Sequence, residues 1–285
     1  MHMRSLSIVL VLAATGCAAE PEESAEASAE SLVSGDGSTD DSSFVKSAEE
    51  LRAAFGVDVT FKDCIETVGI GLAPTAEVRP RVPARYALAS APGAPVTPAA
   101  IRTAKCKKVN VNGLDVGAHE IAQVGALIAS PDGTGNVNNY QLWYYTDSFV
   151  LALAMNLLGV PAQFRPGLRY AFNACGAGVS CPIAVTTGPF GQPPFKLSGT
   201  AVEGPGDQTL PFSINWFYDT PGGAVKMTSS GPDGVVVANF GGGSFTVATP
   251  AGSSLATVFG ATTIAFPLSQ RFNTYPLNIV TMRRQ

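Results

Sequence analysis

Three consecutive stretches decide the fold: Glu120-Ile121-Ala122-Gln123-Val124-Gly125-Ala126-Leu127-Ile128, then Tyr140-Gln141-Leu142-Trp143-Tyr144-Tyr145-Thr146, then Ser148-Phe149-Val150-Leu151-Ala152-Leu153-Ala154-Met155-Asn156-Leu157-Leu158. The first two predict strands over 120–130 and 139–146, joined through the turn Pro131-Asp132-Gly133, with aromatic and β-branched content suited to a pleated surface. The third predicts a helix capped by Thr146 or Asp147 and stopped by Gly159 and Pro161. It is apolar nearly all round, which predicts burial, and is too short to span a bilayer.

Outward from this centre, an alternating strand is predicted over 101–111, and a Pro-rich stretch from Pro74 to Pro98 holds a short strand candidate at 86–89. Strand candidates punctuated by Gly and Pro continue at 195–202, 210–218, 235–240 and 279–283. The region from about Pro189 onward either completes the same structure or forms a second β-domain. Ser47-Ala48-Glu49-Glu50-Leu51-Arg52-Ala53-Ala54-Phe55-Gly56 reads as a short helix with a capping box and a terminal glycine. With 30 Gly, 21 Pro and only 14% charged residues against 46% hydrophobic, the chain is predicted to be a β-rich α+β protein.

The first residues carry a short basic region, Met1 to Arg4, and an apolar run, Leu6 to Ala14, of export-signal length. The run ends in Ala14-Thr15-Gly16-Cys17, which resembles a bacterial lipobox. That resemblance implies a lipid on Cys17 and a membrane-anchored protein of the cell envelope. Ala14 stands where Leu is more usual, so ordinary signal cleavage is the alternative. Cysteine arithmetic agrees with lipidation: of 5 Cys, four remain for disulfides, Cys64, Cys106, Cys175 and Cys181. Four can pair in three ways. Cys175 and Cys181 bracket a Gly-rich stretch and are expected to pair, leaving Cys64 with Cys106.

From Ala18 to Ser43 the chain holds eight acidic residues and no basic one, the composition of an extended tether rather than a core. The expected organisation is a signal at 1–16, a lipidated Cys17 and acidic tether over 17–43, and a globular domain over 44–285. Without the tether and signal, 17 basic residues face 14 acidic ones. The basic residues are scattered apart from Lys105, Lys107 and Lys108, which argues against nucleic-acid binding.

Several chemistries are excluded. His119 is the only imidazole after His2, and Gln123 stands where a zinc-protease motif needs its second histidine. No GxSxG elbow, phosphate-binding loop or dinucleotide fingerprint occurs. Asp132, Thr134, Asn136 and Asn138 alternate like calcium ligands, but Val137 replaces the turn glycine and a polar β-turn is the better account. No metal or cofactor is expected. Glu120 shares a strand face with Ala122, Val124, Ala126 and Ile128, an apolar face predicted to point inward. A carboxylate there must be paired, hydrogen-bonded or protonated, for instance by pairing with Arg85 or Arg102. A raised pKa would suit acid–base chemistry.

The order of elements resembles the acetoacetate decarboxylase superfamily over residues 78 to 170. Val82-Pro83-Ala84-Arg85-Tyr86 resembles its Val-Pro segment, 120–128 its glutamate-bearing strand, and Leu158-Gly159-Val160-Pro161-Ala162-Gln163 its Gly-aromatic-Pro-Lys turn. The resemblance implies a closed β-barrel core with one buried helix, and an active-site role for Glu120. It also sets Ala162 and Gln163 at the two lysine positions, so no Schiff base forms there. The expected function is binding of a small apolar or carbonyl-containing molecule, with Glu120, Arg85, Trp143 and Tyr145 as contacts. Two alternatives stand beside it: a carbonyl-directed lyase, isomerase or hydratase using Glu120 as acid or base, and a structural envelope protein.

Overall fold

A strand that alternation does not reveal organises the structure. β1, Val57–Pro74, buries Val57, Val59 and Phe61, then exposes Lys62 and Asp63 in succession, then buries Cys64, Glu66 and Thr67. Asp63 adopts a left-handed backbone (φ 50°), and around it the inward set passes from odd to even positions while the pairing with the neighbouring strand keeps its register. The computed structural model describes residues 56–172, 179–188, 194–202, 208–238, 242–274 and 278–285. The predicted helix over 47–56 and the signal and tether lie outside these residues, apart from Gly56.

After β1 come a single helical turn α1 (Thr75–Val78), a 3-10 turn (Arg79–Arg81), β2 (Val96–Val111), β3 (Leu114–Leu127), β4 (Val137–Thr146) and α2 (Phe149–Leu157). Then follow β5 (Ala162–Phe164), β6 (Arg169–Phe172), β7 (Ser180–Thr186), β8 (Lys196–Val202), β9 (Gln208–Thr220) and β10 (Gly223–Ala238). The chain finishes with β11 (Gly243–Ala248), α3 (Ser254–Phe259), β12 (Thr263–Phe266), β13 (Leu268–Thr274) and β14 (Asn278–Arg284). The candidate at 86–89 contributes only an isolated bridge between Leu88 and Ile128.

Two sheets result. The larger runs β13-β1-β14-β10-β9-β4-β3-β2 with β5 beside β4, and β2 also pairs with β1, so the path of pairings returns on itself. The smaller runs β12-β11-β8-β7-β6. The C-terminal region therefore serves both structures: β9, β10 and β14 complete the first circuit, while β8, β11 and β12 build the second sheet. Cys64 and Cys106 face each other across the β1–β2 ladder and form a disulfide, as expected. Cys181 is buried and disulfide-bonded, and Cys175, its expected partner, lies outside the described residues.

The circuit of strands is covered on both faces. One face carries Ala122, Val124, Ala126 and Tyr145, packed against Ile183, Val185, Leu197 and Phe245 of the second sheet. The other gathers Ile121, Tyr144, Trp216, Val59 and Met282 with Leu151, Ala152, Met155 and Leu158 of α2. Residues 121–126 are accordingly all buried.

The cap of α2 is Ser148, whose side chain accepts from the Leu151 N–H; Thr146 instead accepts from the Ser148 N–H, and Asp147 turns toward β3. Gly159 takes the left-handed conformation that ends the helix (φ 87°). The expectation of a fully buried helix needs correction. Only Leu151, Ala152, Ala154 and Met155 face the core, and Phe149 and Leu157 remain 60% and 62% exposed. The helix lies over the strands on one side only, and among the described residues nothing packs on its opposite face.

Candidate functional site

Strand register assembles a polar row that no single segment contains. Arg102 on β2 lies opposite Gln123 on β3, Gln123 opposite Tyr144 on β4, and Tyr144 opposite Ala162 on β5. Arg102, Gln123 and Tyr144 are each at most 3% exposed. Arg102 donates through Nη1 to Gln123 Oε1 (2.6 Å) and through Nη2 to Glu66 Oε2 on β1 (2.5 Å). Gln123 Nε2 reaches Gln141 Oε1 at 3.4 Å. Burial works against the Arg102 charge, but the Glu66 carboxylate outweighs it and holds the guanidinium above its ordinary value. The same burial pushes the Tyr144 phenol upward and keeps it neutral.

Beside the row, Trp216 of β9 pairs in register with Asn139 of β4 and packs over Gly125. Gly125 is required there: a Cβ would lie 2.6 Å from Trp216 Cζ3 and 2.9 Å from the Tyr140 carbonyl oxygen. Four buried polar atoms around this row, Arg102 Nε, Gln141 Nε2, Trp216 Nε1 and Asn139 Oδ1, have no hydrogen-bond partner within the protein. Buried polar groups are almost always satisfied, and these four sit on the neighbouring strands β2, β4 and β9 with capacity for a further partner. The assembly supplies three donors and one acceptor. Its one carboxylate, on Glu66, is neutralised by Arg102, and it has no nucleophile.

Glu120 lies on the opposite face of β3. Its Oε2 accepts from the Tyr170 N–H (2.6 Å), and Lys105 Nζ stands 3.5 Å from Oε1. The ion pair expected with Arg85 or Arg102 is thus made by a cross-strand lysine, since Lys105 is the residue in register with Glu120. Burial raises the Glu120 pKa, against the opposing Tyr170 N–H and Lys105. The Glu120 N–H donates to Asp147 Oδ1 (2.7 Å), which also receives His119 Nδ1 (3.0 Å), while His119 Nε2 meets the Val116 carbonyl oxygen (2.9 Å).

The other expected contacts divide. Trp143 and Tyr145 do share the Glu120 face, opposite Val124 and Ala122. Tyr145 is fully buried, packs edge-on against Phe195 and lies under the Arg165 guanidinium. Trp143 is part-buried against the same apolar cluster. Arg85 is not brought to them; it pairs with Asp219 and donates to Tyr86 Oη in a separate cluster, where Arg85 is exposed and Tyr86 buried. The calcium-like loop is held by an ammonium: Lys226 Nζ lies 2.5 Å from both Asp132 Oδ2 and Thr134 Oγ1, and Asp132 is held down at about 2 by this network despite some burial. Among the described residues no cluster of three metal-ligating side chains occurs. Two surface depressions, about 260 Å³ at Thr60, Lys62, Lys108 and Asn110 and about 300 Å³ at Pro194, Phe195, Lys196, Ala248, Thr249 and Pro250, include neither Glu120 nor any residue of the Arg102–Gln123–Tyr144 row.

Sequence reasoning missed the polar row. Its signal is present, Arg102 and Gln123 each interrupting an otherwise apolar run, but only register shows that they meet.

No protein-family model and no curated protein matches the sequence. Among solved structures, the chain is similar to an acetoacetate decarboxylase at a TM-score of 0.51 and 10% identity, over 79% of this chain and 87% of that one. An acetoacetate decarboxylase from Legionella pneumophila subsp. pneumophila str. Philadelphia 1 is similar at 0.48 and 11% identity, over 79% and 85%. An acetoacetate decarboxylase-like enzyme from Sphingomonas wittichii RW1 gives 0.48 and 10%, over 81% and 92%. At such identity the first likeness is one of fold alone: the chain has an acetoacetate-decarboxylase-like, strand-rich fold.

Proposed function

We propose that this protein is an envelope lipoprotein, anchored through Cys17, that binds a small carbonyl-containing molecule without forming an imine. In this reading the circuit of strands acts as a closed barrel-like shell, and the row Arg102–Gln123–Tyr144–Ala162 lines its interior. The supporting observation is the set of orphaned donors, Arg102 Nε, Gln141 Nε2 and Trp216 Nε1, on one buried face. A carbonyl oxygen accepts from such donors, and a buried donor left unsatisfied costs about 1–3 kcal/mol, which ligand binding would recover. Ala162, at the position the sequence resemblance gives to a lysine, offers a methyl group instead of an amine, so the bound carbonyl is held and not converted.

The alternative use of Glu120 as acid or base has its raised pKa in favour. Against it, the Tyr170 N–H occupies Oε2 and Lys105 faces Oε1.

The test is titration of the full chain with 2,4-pentanedione, followed by amide chemical shifts. Saturable shifts at Gln123, Gln141 and the Trp216 indole, abolished in Gln141→Leu, are expected. Treatment with borohydride should leave the protein mass unchanged. Binding weaker than about 10 mM, or a borohydride-trapped adduct, would overturn the reading. The lipid on Cys17 is read separately, from the mass of the membrane-extracted chain.

A further inference from the structure

The helix α2 has no charged residue from Phe149 to Leu158, and both of its faces are apolar. Such a helix is ordinarily buried all round. Here Leu151, Ala152, Ala154 and Met155 are buried, while Phe149, Leu153 and Leu157, one turn apart, form a stripe 60%, 36% and 62% exposed. Phe164 of β5 extends it: 42% exposed, its ring lies edge-on to Phe149 with centroids 5.7 Å apart. The stripe follows a helix of nine residues, about 14 Å long.

We propose that this stripe is a membrane-contact face, seated shallowly in the headgroup–acyl boundary of an anionic bilayer. Area decides between occupants. Four side chains exposed to this degree present on the order of 350 Å² of apolar surface, the size of functional patches on monomers. A stable interface with a second copy needs about 800 Å² from each partner, so the stripe alone is too small for that role. Shallow insertion of an apolar helix face needs no comparable area. Charge points the same way in the part that carries the stripe: from Gly56 onward 15 basic residues face 12 acidic ones, and the acidic excess behind the whole chain's net charge of -4 lies ahead of it. Arg284 lies at the C-terminal end of the helix, its Nη2 3.5 Å from the Leu158 carbonyl oxygen. Among the described residues no helix is long and apolar enough to cross the bilayer, so the contact is interfacial. The membrane location rests on the anchor reading above, but the stripe acts through its own side chains and is tested without the anchor.

The experiment uses the full chain carrying Cys17→Ser, which removes any lipid, in co-sedimentation with vesicles of phosphatidylglycerol and phosphatidylcholine and with vesicles of phosphatidylcholine alone. Binding to the anionic vesicles is expected, falling at least tenfold in Phe149→Ser/Leu157→Ser. The melting temperature of that variant should be unchanged, since both side chains are exposed. Equal binding by the parent and the double variant, or no binding by either, would overturn the proposal. So would a concentration-dependent dimer in light scattering that the double variant abolishes, because the stripe would then be covered by a second copy. A lipid-free wild-type Cys17 alongside vesicle binding by the Cys17→Ser chain would sink the anchor reading and leave the stripe standing.

Discussion

Glu66 and Glu120 are both buried carboxylates on the same circuit of strands, yet they sit in opposite kinds of surroundings. Glu66 lies on the face of the polar row, 5% exposed, and takes a 2.5 Å bond from Arg102, itself 3% exposed. Glu120 sits on the opposite face, midway along β3, its carboxylate shared between a backbone N–H and a lysine that is 57% exposed. The Glu66–Arg102 pair has removed two charges from water and must hold them together. The Glu120 carboxylate keeps a solvent-facing partner and settles for a raised pKa. Burial of a carboxylate alone therefore does not locate a site; what its partner is, and where that partner points, does.

Breaking the Glu66–Arg102 pair should have the largest effect. Arg102→Met leaves Glu66 buried without its counter-charge and should cost about 3–5 kcal/mol in urea unfolding. Replacing both, Glu66→Leu with Arg102→Met, should recover most of that loss; a double variant as unstable as the single one would break the comparison. Removal of the Cys64–Cys106 bridge by paired Ala substitutions should cost about 2–4 kcal/mol, because it closes a loop across 42 residues. Unfolding with and without reductant checks it, and an unchanged midpoint would count against the β1–β2 ladder as the spine of the circuit.

Gly125→Ala sharpens the description of the interior. Its Cβ meets both a ring and a backbone oxygen, and overpacking of this kind costs about 1–3 kcal/mol. A thermal melt reads it, and a neutral result would place Trp216 elsewhere. The smallest effect belongs to Glu120→Gln. A carboxyl whose folded pKa lies above its unfolded value contributes stability that is full at low pH and lost as pH rises through the folded value. Wild type should thus lose stability, relative to Glu120→Gln, as pH rises from the ordinary glutamate range into neutrality. The difference should stay below about 1 kcal/mol because the Tyr170 N–H and Lys105 offset most of the effect of burial. A difference that grows toward acid would reverse the assignment.

The central strands, the turn at Pro131 and the helix end at Gly159 were legible because each follows from a local pattern. The disulfide Cys64–Cys106 was legible by elimination. β1 was not, because Lys62 and Asp63 interrupt its alternation at the point where its inward face shifts. The faces of β3 could not be ranked either: Ala122 and Gln123 point opposite ways and both are buried, so alternation reveals two sides but not which encloses the interior. The polar row depends on register between β2, β3, β4 and β5, a relation between segments that no window of sequence contains. Likewise, the apolar character of α2 was plain, but the exposure of Phe149, Leu153 and Leu157 depends on how the other described residues pack around the helix.

The return of the strand path on itself has a consequence in time as well as in space. The first residues of β1 find their second neighbour in β14, where Val57 pairs with Met282 and Arg283 reaches Asp58 across 225 residues. The hairpin-like ladders β1–β2, β2–β3 and β9–β10 can form while the chain is partial; the seam at Val57–Phe61 cannot. Contacts at such separation slow folding, since the loop must be closed before the pairing rewards it. Until the seam forms, both β1 and β14 carry bare edges, the condition most exposed to aggregation. The last step of folding is therefore also the step that seals the molecule against its neighbours.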